Sequence, residues 1–348
     1  MKRVGRLYPQ LIDRENIRKA IINSSKRKRD RVTVKRCYEN QEETIDKILD
    51  ILENGWRPLQ PHTFVIYDSH RQKDRTISCP RYFPDQIIHH ALMQVLIPVF
   101  MRGMYYHSYG SIPGRGAHAA VRNVHKWMKN DRKNTKYCLQ LDISKYDHSI
   151  DHVMLRHSLV LKIKDRKVLS LLFALINSYN EGERDKAIPI GYYSSQWLAN
   201  FYLEPLDRFI KERIHIKYYA RYMDDMILFG RNKKELHKAK REIEKLLEYY
   251  ELSLKPNWQV YRTDSRPVDF LGYKIYHDKV CLRSNTYLRL SRKIRRVLKK
   301  SRHNLKDYQS VASYKGVAEH SDCNKIYCSV RRLTKTLRKK VVMCGGTE

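Results

Sequence analysis

The stretch Arg221-Tyr222-Met223-Asp224-Asp225-Met226-Ile227-Leu228-Phe229-Gly230 sets two adjacent carboxylates between two short apolar runs. Aromatic and β-branched residues on both sides of a break predict a hairpin. The break itself is unusual. Tight hairpin turns favour Asn-Gly, Asp-Gly or Gly-Gly, because their central residues need φ > 0. Met-Asp-Asp offers no glycine and concentrates negative charge, and a local rule broken without local gain marks a candidate functional site. On these residues alone a solvated acidic turn is the plain alternative. A third carboxylate, Asp142, ends the run Tyr137-Cys138-Leu139-Gln140-Leu141, which reads as a buried strand. A lone strand-end Asp is more often a helix cap. Together, the three carboxylates could bridge two Mg²⁺ ions about 3.5–4 Å apart, the arrangement used for phosphoryl transfer. Mg²⁺ keeps several waters, so two or three carboxylates suffice.

Other segments must position such a site. Residues 63–67 and 75–79 read as strands joined by a polar tip, and Arg71, Lys73 and Arg75 alternate, so they can share one side of a ribbon. Arg as a fork and Lys as a point charge suit a triphosphate; a solvated tip is the plain reading. Phe83-Pro84-Asp85 predicts the start of a helix running to about residue 100, with Asp85 as a cap or first-turn carboxylate. Ser108 to Gly116 carries glycines at three places, which suits either an ordinary loop or a backbone cradle for a template strand. Gly191 precedes a helix bearing Leu198, Phe201, Tyr202 and Leu206, and could form a floor under a nucleotide. Helices are also expected over 39–53, 117–130, 233–250 and twice within 151–178. Short strands are expected at 258–261, 270–276 and 280–282. Over 288–300 a helix would put Leu290, Ile294, Val297 and Leu298 on one face, with Arg292, Lys293, Arg295, Arg296, Lys299 and Lys300 on the other, a form that packs on a domain while facing phosphates.

The charge supports a polyanionic partner. With 70 Lys+Arg against 37 Asp+Glu the formal net charge is +33, and nucleic acid is the first candidate. Basic residues run throughout rather than in one juxtamembrane block, which makes a membrane surface the weaker choice. No stretch approaches the roughly 18 apolar residues of a spanning helix. The start, Met1-Lys2-Arg3-Val4-Gly5-Arg6, has no apolar region behind it, so no secretory signal is expected. Seven cysteines in no disulfide-like spacing fit a reducing cytoplasm. His320, Cys323, Cys328 and Cys344 match no standard zinc spacing and read as incidental thiols. Residues 1–37 read as a basic arm, either frayed or in contact with nucleic acid. The chain shows no internal repeat and no low-complexity linker.

In order, the charged hairpin, Phe-Pro-Asp, the Gly-Arg-Gly loop, strand-end Asp142, Gly191 to Asn200, Tyr-Met-Asp-Asp and Phe-Leu-Gly-Tyr resemble the successive blocks of a reverse transcriptase over roughly residues 55–283. The resemblance implies an α+β right-hand polymerase fold: a basic N-terminal extension (1–54), fingers with the start of the palm (55–136), a palm of antiparallel sheet plus helices (137–283) and a basic helical thumb (284–348). It implies an RNA-directed DNA polymerase using two Mg²⁺ ions and dNTPs. Asp142, Asp224 and Asp225 would be catalytic carboxylates and metal ligands, with Ile143 lending its backbone. Lys73, Arg75, Asp147, Ile190, Gly191 and Gln196 would bind the nucleotide, Phe270, Leu271, Gly272 and Tyr273 would grip the primer, and Arg115, Arg292, Lys293, Arg296 and Lys299 would contact nucleic acid. Ile190-Gly191-x3-Ser195-Gln196 is most similar to the enzymes of diversity-generating retroelements, since group II intron and retroviral relatives usually carry Gln before that glycine and Pro after the serine. That likeness implies error-prone copying opposite adenine of a template-repeat RNA, for diversification of a target gene. The partners it implies are a structured RNA, the RNA/cDNA duplex and a pentameric basic accessory variability protein. A retron or group II intron type of enzyme is the alternative within the class, and a non-catalytic RNA-binding scaffold is the alternative outside it. Asp147 departs from the family pattern: five residues after the first metal Asp, the family usually has Phe or Tyr, whose ring blocks a ribose 2′-hydroxyl.

Overall fold

The computed structural model describes residues 3–68, 73–179 and 185–342. Residues 1–37, expected as an arm, fold into helices. The short α1 (Tyr8–Leu11), α2 (Arg14–Ser25) and α3 (Val32–Glu39) precede α4 (Gln41–Glu53). Asp13 caps α2 by accepting from the Glu15 amide, and the helix buries Ile17, Ala20 and Ile21. Arg14 and Arg18 on its outer face pair with Glu42, so part of the basic charge is met inside the chain. Such exposed pairs add little; the apolar face of α2 is what makes this segment structure rather than arm.

β1 (His62–Asp68) and β2 (Lys73–Cys79) pair antiparallel with Ile66 opposite Arg75. Arg71, in the tip between them, lies outside the described residues. α5 (Ile87–Met101) is strongly apolar, and Ile88, Leu92, Leu96 and Phe100 are buried, while Pro98 on the opposite face is exposed. Asp85 lies in the first turn of the helical segment that leads into α5, as one of the two expectations had it, and does not cap α5. Its buried carboxylate accepts from the Trp56 indole N–H at 2.9 Å and from the Leu59 amide at 3.0 Å. Burial raises its pKa. Both oxygens are thus committed to the irregular segment after α4, which Asp85 holds at Trp56 and Leu59.

The remainder runs α6 (Ala117–Asn130), β3 (Tyr137–Asp142), α7 (Tyr146–Ser149), α8 (His152–Lys162), α9 (Arg166–Asn177), α10 (Tyr193–Tyr202), α11 (Glu204–Arg208), β4 (Tyr218–Tyr222), β5 (Asp225–Gly230) and α12 (Lys233–Tyr249). Then come β6 (Gln259–Arg262), β7 (Val268–Phe270), β8 (Tyr273–Ile275), β9 (Val280–Leu282), α13 (Ser284–Leu298), α14 (Leu305–Glu319) and α15 (Asn324–Val342). The single strand expected over 270–276 is broken. Leu271 and Gly272 take φ of 52° and 87° and turn β7 back into β8. Two positive φ values in a two-residue loop match the twist of the flanking strands.

β1 and β2 stand as a two-stranded ribbon; the other sheets have the orders β4-β5-β3-β6 and β7-β8-β9. By packing the chain divides into two discontinuous units. The first comprises residues 1–106, 142–215 and 240–256, and α5 and α10 are largely buried within it. The second comprises 107–141, 216–239 and 257–348. Its apolar core runs from Cys138, Ile227 and Phe229 of the sheet, through Val124 of α6 and Phe270, to Leu290 of α13 and Leu337 of α15.

α13 buries Leu290, Ile294 and Val297 as its periodicity predicts, but Leu298 is 63% exposed. The helix ends at that residue, so the chain turns away before Leu298 can reach the core. Arg292, Arg296 and Lys299 face solvent. Lys293 does not share their face: it is half-buried with its ammonium 4.0 Å from the buried Asp307 carboxylate, which also takes Lys300 at 2.8 Å.

Candidate active site

In the second unit Tyr222 pairs with Asp225, so Met223 and Asp224 are the two loop residues of a tight hairpin. Met223 has φ 54°, a conformation that favours glycine. Holding a non-glycine residue there costs about 1–3 kcal/mol and needs support from its surroundings. Arg221 supplies some of it. Its side chain is fully buried one residue before the end of β4, and its Nη1 donates to the Met223 carbonyl at 3.1 Å. The segment before α6 supplies more. The Arg221 amide donates to the His107 carbonyl at 3.1 Å, and the Tyr109 amide donates to the Arg221 carbonyl at 2.9 Å. Gly110 then passes so close that a Cβ on it would stand 2.6 Å from Met223 Sδ and 2.8 Å from the Met223 nitrogen. The first part of the glycine loop, read from sequence as a loop or a template cradle, therefore braces the acidic hairpin. The second part is a tight turn. Gly114 has φ 73° behind Pro113, and the Arg115 amide donates to the Ile112 carbonyl at 3.0 Å, the pattern of a type II turn. Arg115 is half-buried at its end.

Asp142 ends β3, the strand beside β5 in the four-stranded sheet. Its Oδ2 is 2.6 Å from Lys255 Nζ, and its carbonyl accepts from the Lys255 amide at 2.8 Å. Ile143 forms a bridge to Leu254, which fixes the backbone just past the carboxylate. Asp142 Oδ1 is buried and has no hydrogen-bond partner among the described residues. Among those residues no three His, Cys, Asp or Glu side chains are grouped to hold a metal ion. The orphaned oxygen nonetheless suits a hard cation, because Mg²⁺ is commonly bound through one or two carboxylates with water and substrate phosphate completing the shell. Cys344 of the candidate thiol cluster lies outside the described residues.

The six nucleotide-binding candidates all lie in the first unit. Tyr146 is buried and donates its hydroxyl to the Ala199 carbonyl of α10 at 2.5 Å. That bond commits its ring to the core, away from the position that Asp147 holds half-buried beside it. The Asp147 carbonyl accepts from the Ile188 amide at 2.7 Å, which aligns α7 with the segment leading to Ile190 and Gly191. The Ile190 carbonyl in turn accepts from the Ser78 amide of β2 at 2.8 Å. Gly191 has φ 121°, and a Cβ there would lie 2.5 Å from the Ser78 carbonyl oxygen. Glycine is required by both space and angle. Arg75 lies three residues back along β2 and is half-buried; Lys73 begins the strand. Gln196 is exposed on α10. Behind it Tyr193 stacks on His90 at 4.3 Å, and Tyr192 lies against His89 at 5.2 Å. Burial lowers the pKa of His90 to about 4 and that of His89 to about 3.

The primer-grip candidates divide by exposure. Phe270 and Tyr273 are core residues, and the Tyr273 hydroxyl donates to the Val317 carbonyl at 2.9 Å. Burial raises that hydroxyl to about 12. Only the Leu271-Gly272 turn remains for contact. Three structural residues were not singled out in the sequence. Arg221 had a signal, since a charge sits inside an otherwise apolar strand. Lys255 had none, because its partner is 113 residues away. His277 read as a turn residue. It is buried, with Nδ1 2.8 Å from the Met128 carbonyl and Nε2 3.0 Å from Thr263 Oγ1, and it ties α6 to the end of β6.

Comparisons with known proteins bear on the family and the fold. The chain is 30% identical over 175 residues to the group II intron-encoded protein LtrA of Lactococcus lactis, covering 49% of this chain and 28% of that protein. It is 30% identical over 176 residues to an uncharacterized 91 kDa protein in the cob intron of Schizosaccharomyces pombe, covering 49% of this chain and 21% of that protein. It thus spans under a third of either relative. Among solved structures, the telomerase of Candida tropicalis in complex with a fragment of telomeric RNA superimposes with a TM-score of 0.54 at 14% identity, over 87% of this chain and 57% of that one. The Candida albicans telomerase gives 0.51 at 12% identity, over 89% and 60%. These neighbours identify the fold as the right-hand polymerase fold. The family model for reverse transcriptase (RNA-dependent DNA polymerase) matches residues 67–275, well over half of the chain, and the chain belongs to that family.

Proposed function

We propose that the protein copies RNA into DNA, with residues 55–136 as fingers, 137–283 as palm and 284–348 as thumb. The observation that carries this reading is Asp142. It stands at the very end of β3, and one of its carboxylate oxygens is buried without a partner among the described residues. Asp142, Asp224 and Asp225, with the Ile143 carbonyl, would hold two Mg²⁺ ions, which when bound neutralise charge on phosphoryl oxygens. The chain's own part is positioning. Arg75 and Lys73 on β2 receive the triphosphate, Gly191, pressed against Ser78 of β2, sets the backbone course of the nucleotide pocket, and the Leu271-Gly272 turn supports the primer. The primer 3′-hydroxyl attacks the α-phosphate and pyrophosphate leaves, so no protein nucleophile is required. Arg115, Arg292, Arg296 and Lys299 contact the backbone of an RNA/cDNA duplex.

The test is Asp224→Asn in primer extension on an RNA template. Mg²⁺-dependent synthesis should fall roughly a thousandfold or more, since several kcal/mol of transition-state stabilisation are removed. RNA binding measured by gel shift should persist. Synthesis at the wild-type rate refutes the assignment.

Within this class we favour a diversity-generating retroelement enzyme in the cytoplasm, working with a structured template-repeat RNA and a pentameric basic accessory protein. Ile190 before the glycine and Gln196 after Ser195 support it. The similarity to a group II intron-encoded protein favours the second reading, an intron-type enzyme. Copying an adenine-rich RNA and sequencing the product separates them: errors concentrated opposite adenine belong to the first, faithful copying to the second.

A further inference from the structure

We propose that Arg221 and Gly110 are positioning residues that hold the Met223-Asp224 turn in a single conformation, so that its carboxylates are presented ready-made. The inference rests on the reading of Asp224 and Asp225 given above. The turn carries a methionine at φ 54°, which a free hairpin would not choose. Two contacts, one through the Arg221 side chain and one through its backbone, oppose its relaxation. Arg221, fully buried, donates from Nη1 to the Met223 carbonyl at 3.1 Å, fixing the peptide between Met223 and Asp224 from one side. The His107–Tyr109 backbone bonds to Arg221 at its amide and its carbonyl, and so places Gly110 directly against Met223 from the other side. There is no room for a Cβ at 110, and Met223 Cγ, Sδ and backbone nitrogen are what fill the space. A brace that grips both backbone and side chain of the first loop residue controls the direction of the second, which is Asp224. Neither residue needs to touch substrate.

The experiment compares Gly110→Ala, Arg221→Lys, Met223→Gly and Gly110→Ala/Met223→Gly, with Asp224→Asn alongside, in steady-state primer extension. Gly110→Ala and Arg221→Lys should lower kcat by on the order of tenfold or more, as expected when a catalytic group is misplaced by a fraction of an ångström. KM for dNTP and the Kd for template–primer should stay within about twofold, because the loss is confined to the chemical step. Glycine at 223 accepts the positive φ freely and removes the Cγ and Sδ that the new methyl group meets. The double variant should therefore recover about threefold or more of the loss caused by Gly110→Ala. Arg221→Lys keeps a donor and a charge but not the fork, and should lie between wild type and Gly110→Ala. If Arg221→Lys fails to fold by circular dichroism, the Gly110/Met223 cycle still decides. The proposal is overturned if Gly110→Ala polymerises within about twofold of wild type, if its defect lies in KM alone, or if Met223→Gly gives no recovery. An active Asp224→Asn sinks the underlying reading instead, so the two failures are distinct.

Discussion

Asp142 and Asp224 sit on supports of different kinds. Asp142 ends a regular strand and is held by charge: a half-exposed lysine from 113 residues further along reaches its Oδ2 at 2.6 Å. Asp224 follows a residue in left-handed backbone and is held by shape, through a buried arginine on the Met223 carbonyl and a glycine pressed against the Met223 side chain. A charge-held carboxylate can exchange its partner for a cation at modest cost, since a half-exposed pair contributes little. A shape-held turn cannot move without repacking the segment behind it. One carboxylate is thus replaceable in its contacts, while the other is fixed in its direction.

The same contrast separates two glycines, and it gives the largest expected effect. Gly191 has φ 121° and a Cβ would meet the Ser78 carbonyl oxygen at 2.5 Å, whereas Gly272 has φ 87° and nothing within 4 Å of an added Cβ. Gly191→Ala should destabilise the protein by roughly 2–4 kcal/mol in chemical denaturation, from strain plus collision. Gly272→Ala should cost about 1 kcal/mol, from strain alone. Equal losses would erase the distinction between steric and conformational demand.

Asp147→Phe comes next. With Tyr146 committed to the Ala199 carbonyl, Asp147 is the side chain left at the position where the family usually has a ring. The wild type should discriminate weakly between dATP and ATP, and Asp147→Phe should improve the ratio of kcat/KM values by about tenfold, a magnitude typical of one excluded group. Equal discrimination in both proteins removes Asp147 from sugar selection.

Lys255→Met tests whether charge alone holds Asp142. Removing a half-exposed counter-charge worth up to about 1 kcal/mol should lower the Mg²⁺ concentration for half-maximal synthesis roughly two- to fivefold. An unchanged or higher requirement would mean that the lysine orients the carboxylate rather than competing for it.

The smallest effect is a pH slope in the first unit. His90 is lowered to about 4, chiefly by burial and further by Lys28 and Lys26. A lowered folded pKa means that the unfolded chain takes up protons first as pH falls below about 6.5, so this stability is present above that value and is lost on acidification toward pH 4. His90→Phe retains the stack on Tyr193 and should show a shallower loss of urea midpoint between pH 7 and pH 5. Parallel slopes would show that other groups carry the acid sensitivity.

Much of the fold, with the acidic hairpin and the strand that ends at Asp142, was legible in the sequence, because these depend on near neighbours. Period-3.6 patterning located α4, α6, α12 and the buried face of α13, and apolar runs located β3, β4 and β5. The misfit of Met-Asp-Asp to a normal turn marked the hairpin, and the positive φ at Met223 is that misfit in physical form. Contacts between residues far apart in the chain were not legible. Asp85 looked like a cap, since its sequence neighbours form a helix start; only folding brought Trp56 and Leu59 to its oxygens. Residues 1–37 looked like an arm because their charge is local, while the surface that buries Ile17 and Ile21 belongs largely to α5. Lys255 on Asp142 and Gly110 on Met223 likewise depend on which strand lies beside which. Sequence determines which groups are available and which backbone shapes are affordable. Tertiary structure decides which group meets which, because an ion pair or a steric stop acts over a few ångströms of space whatever its separation along the chain.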